Sequence, residues 1–313
     1  MKWFQQLAAA AIFTVVLGPV SALADVETDE LRAQFESIVQ GLNNNSFEKF
    51  TRAIVKKDMT ARVYANRLIE PDVKKAFMGD FSTSLEQMFV SSFPPSKNEI
   101  LGTLVHFEFQ GDEGRAVVRY AASGYRYSYH DYELRLDSKG RIVILDWIDY
   151  YQGSRFSDEA GEALVMAMPS SVATRKLLDN KNLGDGEIFQ VGELFKAVRD
   201  NKPDRFFQIY DGLDDALLKE EVIARLNVRL ALLARDGNRI ENGVRMLVEM
   251  SPDDPLYSLR LIEYYIPSRQ YDKAIDALVS LQQHIGFEDG ATESLKASAC
   301  LLYTSPSPRD FSC

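Results

Sequence analysis

The spacing of apolar residues changes twice along this chain, and that change restricts the fold more than any other feature. Leu31, Phe35, Ile38 and Leu42 recur at the period of an α-helix. Leu101, Thr103, Val105, Phe107 and Phe109 then alternate with more polar neighbours, which is the period of a strand with one buried face. Beyond Ser157 the helical period returns and holds to His284. Helices, then a block of strands, then helices again predict an α+β unit followed by an all-α region.

Within the first unit, Asn43-Asn44-Asn45 ends the first helix and Ser46 is placed to cap a second, which carries Phe47, Phe50 and Ile54. Ser46-Phe47-Glu48-Lys49 also fits the S-x-x-K nucleophile motif, but neither companion motif follows, so the cap is preferred. Pro71 opens a third helix with Val73, Phe77, Phe81, Leu85 and Met88 on one face, and Pro94-Pro95 closes it. The turn Gly111-Asp112-Glu113-Gly114 leads to a strand from Arg115 to Ala121. YRYSYHDYELRL and RIVILDWIDYY follow, joined by Asp137-Ser138-Lys139-Gly140. This predicts four antiparallel strands with the helices packed on one face. Tyr125, Tyr127 and Tyr129 share one register and Tyr132, Leu134 and Leu136 the other, so a bulge or bend is expected at His130-Asp131.

This order, closed by Gly140-Arg141-Ile142-Val143-Ile144-Leu145-Asp146-Trp147, resembles the nuclear transport factor two-like, SnoaL-like cone fold over about Glu27 to Gly153. The resemblance implies a curved, cone-like sheet that hosts enzymes, ligand binders and interaction modules alike. Ketosteroid isomerases and small dehydratases of that fold move a proton beside a carbonyl, using a carboxylate or histidine with a tyrosine donor. By that resemblance Asp146 would act as base, Tyr129 or Tyr132 as donor and His130 as acid. The plainer reading places Asp146 and Asp149 at a rim or on a backbone neighbour, because an unpaired carboxylate in an apolar core is too costly. It makes His130 a bend residue, puts His106 in solvent and leaves the tyrosines as strand formers.

Beyond a helix near Ser157 to Met168, the polar stretch Asp179 to Glu187 reads as a linker; its resemblance to a calcium loop fails at Lys181 and Leu183. Ile188 to Val198, Pro203 to Tyr210, Leu218 to Leu233, Arg239 to Met250, Leu256 to Tyr265 and Tyr271 to His284 follow as short helices whose brief connections predict antiparallel hairpins. In the last pair, Leu261, Tyr265, Tyr271, Ala274 and Leu278 resemble the interlocking positions of a tetratricopeptide repeat. A step back of about 34 residues, one such repeat, meets Ala231, Ile240, Val244 and the closing Pro252, a degenerate copy. The resemblance implies a protein or peptide partner on a concave helical surface.

The chain opens MKWFQQLAAAAIFTVVLGPVSALADVETDE, a secretory signal peptide ending at Ala22-Leu23-Ala24. Its apolar run is shorter than the about 20 residues a membrane anchor needs, and no Cys follows the cleavage site. Loss of Lys2 takes the formal charge from −10 to −11, which argues against a nucleic-acid partner. The three histidines have no metal-ligand spacing. There is neither a P-loop nor a dinucleotide fingerprint, so no cofactor is expected. Both cysteines, Cys300 and Cys313, lie at the end, where CLLYTSPSPRD resembles the translation of a transposase adapter used for sequencing libraries. That resemblance implies a native frame continuing past Ala299.

The expected organisation is a signal peptide at 1–24, a cone-like α+β domain at 25–155, helix and linker at 156–187, tetratricopeptide-like repeats at 188–299 and an artefactual or disordered tail at 300–313. The expected function is a non-catalytic, periplasmic protein-interaction module. The alternatives are a binder of a small hydrophobic ligand in the cone and a lyase or isomerase built on Asp146, His130, Tyr129 and Tyr132.

Overall fold

The computed structural model describes residues 20–91, 101–122, 126–168, 170–178, 183–251, 255–266, 268–286 and 289–304. Most of the signal segment, Pro94-Pro95, Tyr125, the heart of the linker, Pro252 and the tail beyond Thr304 lie outside them.

Five helices precede the sheet. α1 (Val20–Asn43) buries Leu31, Phe35, Ile38, Val39 and Leu42. Its last residue clasps the first strand: Asn43 Nδ2 donates to Gly102 O at 2.9 Å, and Gly102 N donates to Asn43 Oδ1 at 2.6 Å. Gly102 must lack a side chain there, because a Cβ would stand 2.8 Å from the Tyr120 ring. In α2 (Glu48–Ala53) the capping position belongs to Phe47 and no side chain caps it, so Ser46 does not have the expected role. α3 (Lys56–Tyr64) was not expected; it buries only Met59, Thr60 and Val63, too few apolar positions to show a period. The expected third helix divides at Asp80 into α4 (Pro71–Gly79) and α5 (Phe81–Ser91), whose Val73, Phe77, Phe81 and Leu85 are all buried.

The strands are β1 (Leu101–Gln110), β2 (Glu113–Ala122), β3 (Arg126–Leu136), β4 (Ile142–Asp149) and β5 (Ser154–Arg155), antiparallel in sequence order. The sheet therefore has five strands rather than four, the last a two-residue addition after the turn at Gly153 (φ +75°). A bulge at Val105 changes the phase of β1, so Leu101 and Thr103 are exposed while Leu104, Phe107 and Phe109 pack on the core. His106, expected in solvent, is half-buried with Nε2 3.5 Å from Glu108 Oε2. The bend expected at His130-Asp131 is absent; β3 pairs with β2 without a shift, and the bulge lies in β4 at Leu145, opposite Glu133 and Leu134.

The apparent change of phase in β3 has another cause: both faces of the sheet are covered. Ala116, Val118, Tyr120, Tyr132, Leu134 and Trp147 join the N-terminal helices in one core. Val117, Tyr129 and Tyr150 point the other way, into a second core with Leu259, Ile262, Leu278, Leu281 and Ile285. Helices thus lie on both sides of the sheet, not on one.

The remaining elements are α6 (Phe156–Ala167), α7 (Ser171–Leu177), α8 (Asp185–Arg199), α9 (Pro203–Tyr210), α10 (Asp215–Leu218), α11 (Glu221–Ala234), α12 (Gly237–Met250), a 3-10 turn (Pro255–Tyr257), α13 (Ser258–Tyr265), α14 (Tyr271–Ile285) and α15 (Gly290–Thr304). α8 packs on α9, α11 on α12 and α13 on α14. α15 carries helix through Cys300–Thr304, the opening of the stretch expected to be disordered. Charge fastens the C-terminal helices to the sheet. Arg115 is bidentate on Asp131 and donates to Ile285 O at 3.0 Å. Asp289 receives Arg119 Nη1 at 2.5 Å and the Tyr129 hydroxyl at 2.7 Å.

Candidate functional site

The four candidate residues do not form one site. Asp146, 1% exposed, is carried by the β4 bulge to the start of α6. Its Oδ2 accepts from Ser157 Oγ at 2.6 Å, and its Oδ1 accepts from Trp147 N at 2.9 Å and Ser157 N at 3.2 Å. Burial pushes the carboxyl up, against these bonds and the charge of Arg155. Asp146 is therefore a clasp between β4 and the first turn of α6, where a carboxylate also meets the positive end of the helix. Tyr129 faces the opposite side of the sheet and is engaged by Asp289.

His130 and Tyr132 do come together, with a partner the sequence reading had set aside. Cross-strand pairing puts His130 opposite Asp149, and His130 Nε2 lies 3.3 Å from Asp149 Oδ2. On the other edge of the imidazole, Nδ1 is 3.2 Å from the Tyr132 hydroxyl, which is 2.8 Å from that of Tyr120. Ser128 Oγ, Tyr151 N and Gln152 N all donate to Asp149 Oδ1. Burial pushes Asp149 up, but the His130 charge and hydrogen bond and the two backbone donors outweigh it and hold the carboxyl below the usual range. Burial drives both phenols, Tyr120 and Tyr132, far above the ordinary tyrosine value, so they stay protonated. An aspartate-oriented imidazole with a phenol on its far nitrogen is the grouping acid–base enzymes use. Here the rings of Phe89, Tyr120 and Trp147 surround it at 4.7–6.2 Å, and neither of the two described pockets touches it.

A second group went unnoticed in the sequence. Between α6, α11, α12 and the 3-10 turn lies a cavity bordered by Glu159, Glu162, Arg225 and Arg260. Glu162 and Arg225 form a direct, largely buried ion pair. Ser154 Oγ donates to Glu159 Oε1 at 2.5 Å. Burial, helped by the charge of Asp149, pushes Glu159 up to about 8 against the Ser154 bond and Arg225. The only sequence signal was the pair of glutamates three apart on α6, among positions that otherwise pack inward.

Comparison with known proteins returned no matching family model, curated protein or solved structure. Among the described residues, no group of three or more His, Cys, Asp or Glu is placed to hold a metal ion, and no helix is long and apolar enough to cross a membrane.

Glu159 gives a pH-dependent prediction. The folded chain keeps this proton up to about pH 8, whereas an unfolded glutamate releases it near 4.5. Between those values folding takes up a proton, so this contribution to stability is full below about 4.5 and is lost as pH rises toward 8. Glu159→Gln, which stays neutral, will gain on the wild type across that window. Screening in the cavity limits the gain to on the order of 1 kcal/mol, about 2–4 °C in Tm. Melting curves at pH 5 and pH 8.5 measure it, and a difference independent of pH would refute a protonated Glu159.

Proposed function

We propose that this protein is a non-catalytic, exported interaction module that binds a protein or peptide through its helical half. The observation that carries this reading is the sealing of the acid–base candidates: His130, Tyr132, Asp146 and Asp149 are each 1% exposed or less and already engaged by neighbours. A lyase or isomerase using Asp146 would need an open path to a carboxylate now occupied by Ser157 and two backbone donors. Surface recognition needs no such opening.

The repeat reading draws support from burial. Leu278 and its counterpart Val244 are both buried between paired helices, as are Ala274 and Ala231, whose own counterparts Ile240 and Tyr265 are half-buried. Phe189 on α8 is 71% exposed, the most exposed large apolar side chain described, and Val172 on α7 follows at 61%. Export rests on the N-terminal segment alone.

Phe189→Asp in the full chain should leave the melting temperature within about 1 °C, since an exposed position contributes little to folding. It should also abolish recovery of a partner crosslinked to the wild type in periplasmic extract. Retention of that partner by the variant would move the surface elsewhere, and its absence with wild type would sink the reading. A small hydrophobic ligand is the second reading. The apolar groove between α4, α5 and α6, bordered by Val73, Phe77, Met88 and Leu164, has room that the ring-filled face of the sheet lacks. Native mass spectrometry of purified protein would show a co-purifying mass.

A further inference from the structure

The cavity beside α6 is lined by a positive charge that no anion among the described residues answers. Arg260, on α13, is 7% exposed. Its guanidinium carbon stands over the Tyr151 ring, 3.6 Å from the centroid, a contact that offers no hydrogen-bond acceptor of its own in the guanidinium plane. Its Nη1 has no hydrogen-bond partner. Buried polar groups are nearly always bonded, and an unanswered buried charge is the costly case.

Among the described residues, the surrounding side chains do not supply the missing anion. Glu162 is taken by Arg225, whose own Nε also lacks a hydrogen-bond partner, Glu221 standing 3.8 Å away. Glu159 holds a proton near neutral pH, so it offers a hydrogen rather than a charge. Arg229, exposed at the margin, adds a second positive group. Met166, Leu226 and Leu247 add apolar lining. The space open to the centre of a water molecule is about 60 Å³. One water needs roughly 10–15 Å³ on that measure, so the cavity takes a group of a few heavy atoms.

We propose that this cavity is a binding site for a small organic carboxylate, its oxygens on Arg260 and its short aliphatic part against Met166, Leu226 and Leu247. A carboxylate matches the planar fork of a guanidinium. A phosphate dianion would bring a second negative charge beside Glu162, and the apolar lining would gain nothing from it. The carboxylate is either a free short-chain acid or the end of a peptide; both present the same group to Arg260.

The test uses the full chain and sodium propionate. Propionate is expected to raise Tm in a saturable way, beyond the effect of equal sodium chloride, and to shift the Arg260 guanidinium resonance. Arg260→Gln will weaken binding by about tenfold or more, the usual loss for one charged hydrogen-bonded contact. If that variant fails to fold, Ala163→Leu keeps Arg260 and fills the cavity from α6, and it must also abolish the propionate response. An acetylated tripeptide with a free carboxy terminus, compared with its amide, tells a chain end from a free acid. The site is refuted if propionate acts no differently from chloride, if phosphate binds as well as propionate, or if Ala163→Leu responds like the wild type.

Discussion

Asp149→Ala will cost the fold about 3–5 kcal/mol, the usual penalty for breaking a buried ion pair, and lower Tm by roughly 10 °C. Four groups converge on this carboxylate: His130 on one oxygen, and Ser128, Tyr151 N and Gln152 N on the other. Removing it takes this acceptor away from the Nε2 edge of the imidazole, from Ser128 Oγ and from two backbone donors. Calorimetry on wild type, Asp149→Ala, His130→Gln and the double variant closes a cycle, and the two changes together should cost well under their sum. Acid gives a second check. Because folding lowers the Asp149 pKa, its contribution is full above the ordinary value of 3.8 and is lost as pH falls through the folded value. The gap between wild type and variant will therefore narrow as pH falls below 3.8 and through the folded value. A loss under ~1 kcal/mol would mean that the pair is hydrated, and the case against catalysis at His130 would fall with it.

Asp289→Ala will have an effect of similar size but different form. The carboxylate binds Arg119 and Tyr129 on the sheet and Ala291 N at the start of α15. Its loss strands a half-buried guanidinium and a buried phenol, for about 3–5 kcal/mol if the molecule unfolds as one unit. If α13 to α15 open separately, hydrogen exchange will speed up at Val117, Tyr129 and Tyr150 while Phe50 and Trp147 stay protected. Unchanged exchange at Tyr129 would show that apolar contact alone holds these helices in place.

The local signals were legible. Gly111 and Gly140 have φ of +64° and +70°, as their turns require, and the strands they join lie close to where alternation placed them. The bulges were not legible. Counted back from the Asp137–Gly140 turn, an unbroken hairpin would set His130 opposite Ile148; only the extra residue at Leu145 brings Asp149 across. That single residue decides whether the histidine has a carboxylate, and it leaves no mark in composition or period. Tyr127 and Tyr129 were seen correctly as one face, but that face pointed to a bend because helices from the end of the chain were not expected to cover it. The Arg260 cavity was invisible for a related reason: α6 contributes four lining residues and α11 five at helical spacing, but nothing in either stretch shows that these two faces meet each other and Arg260 of α13.

The cover on the back of the sheet also orders the events of folding. Tyr129 and Asp289 are 160 residues apart, so the contact between them is among the last a chain growing from its N-terminus can make. Until α14 is synthesised, Val117, Tyr129 and Tyr150 form an apolar sheet face open to water, adhesive to other nascent chains and attractive to chaperones. A chain cut short before α14 would keep its strands and its front core, yet it would expose that face permanently and aggregate.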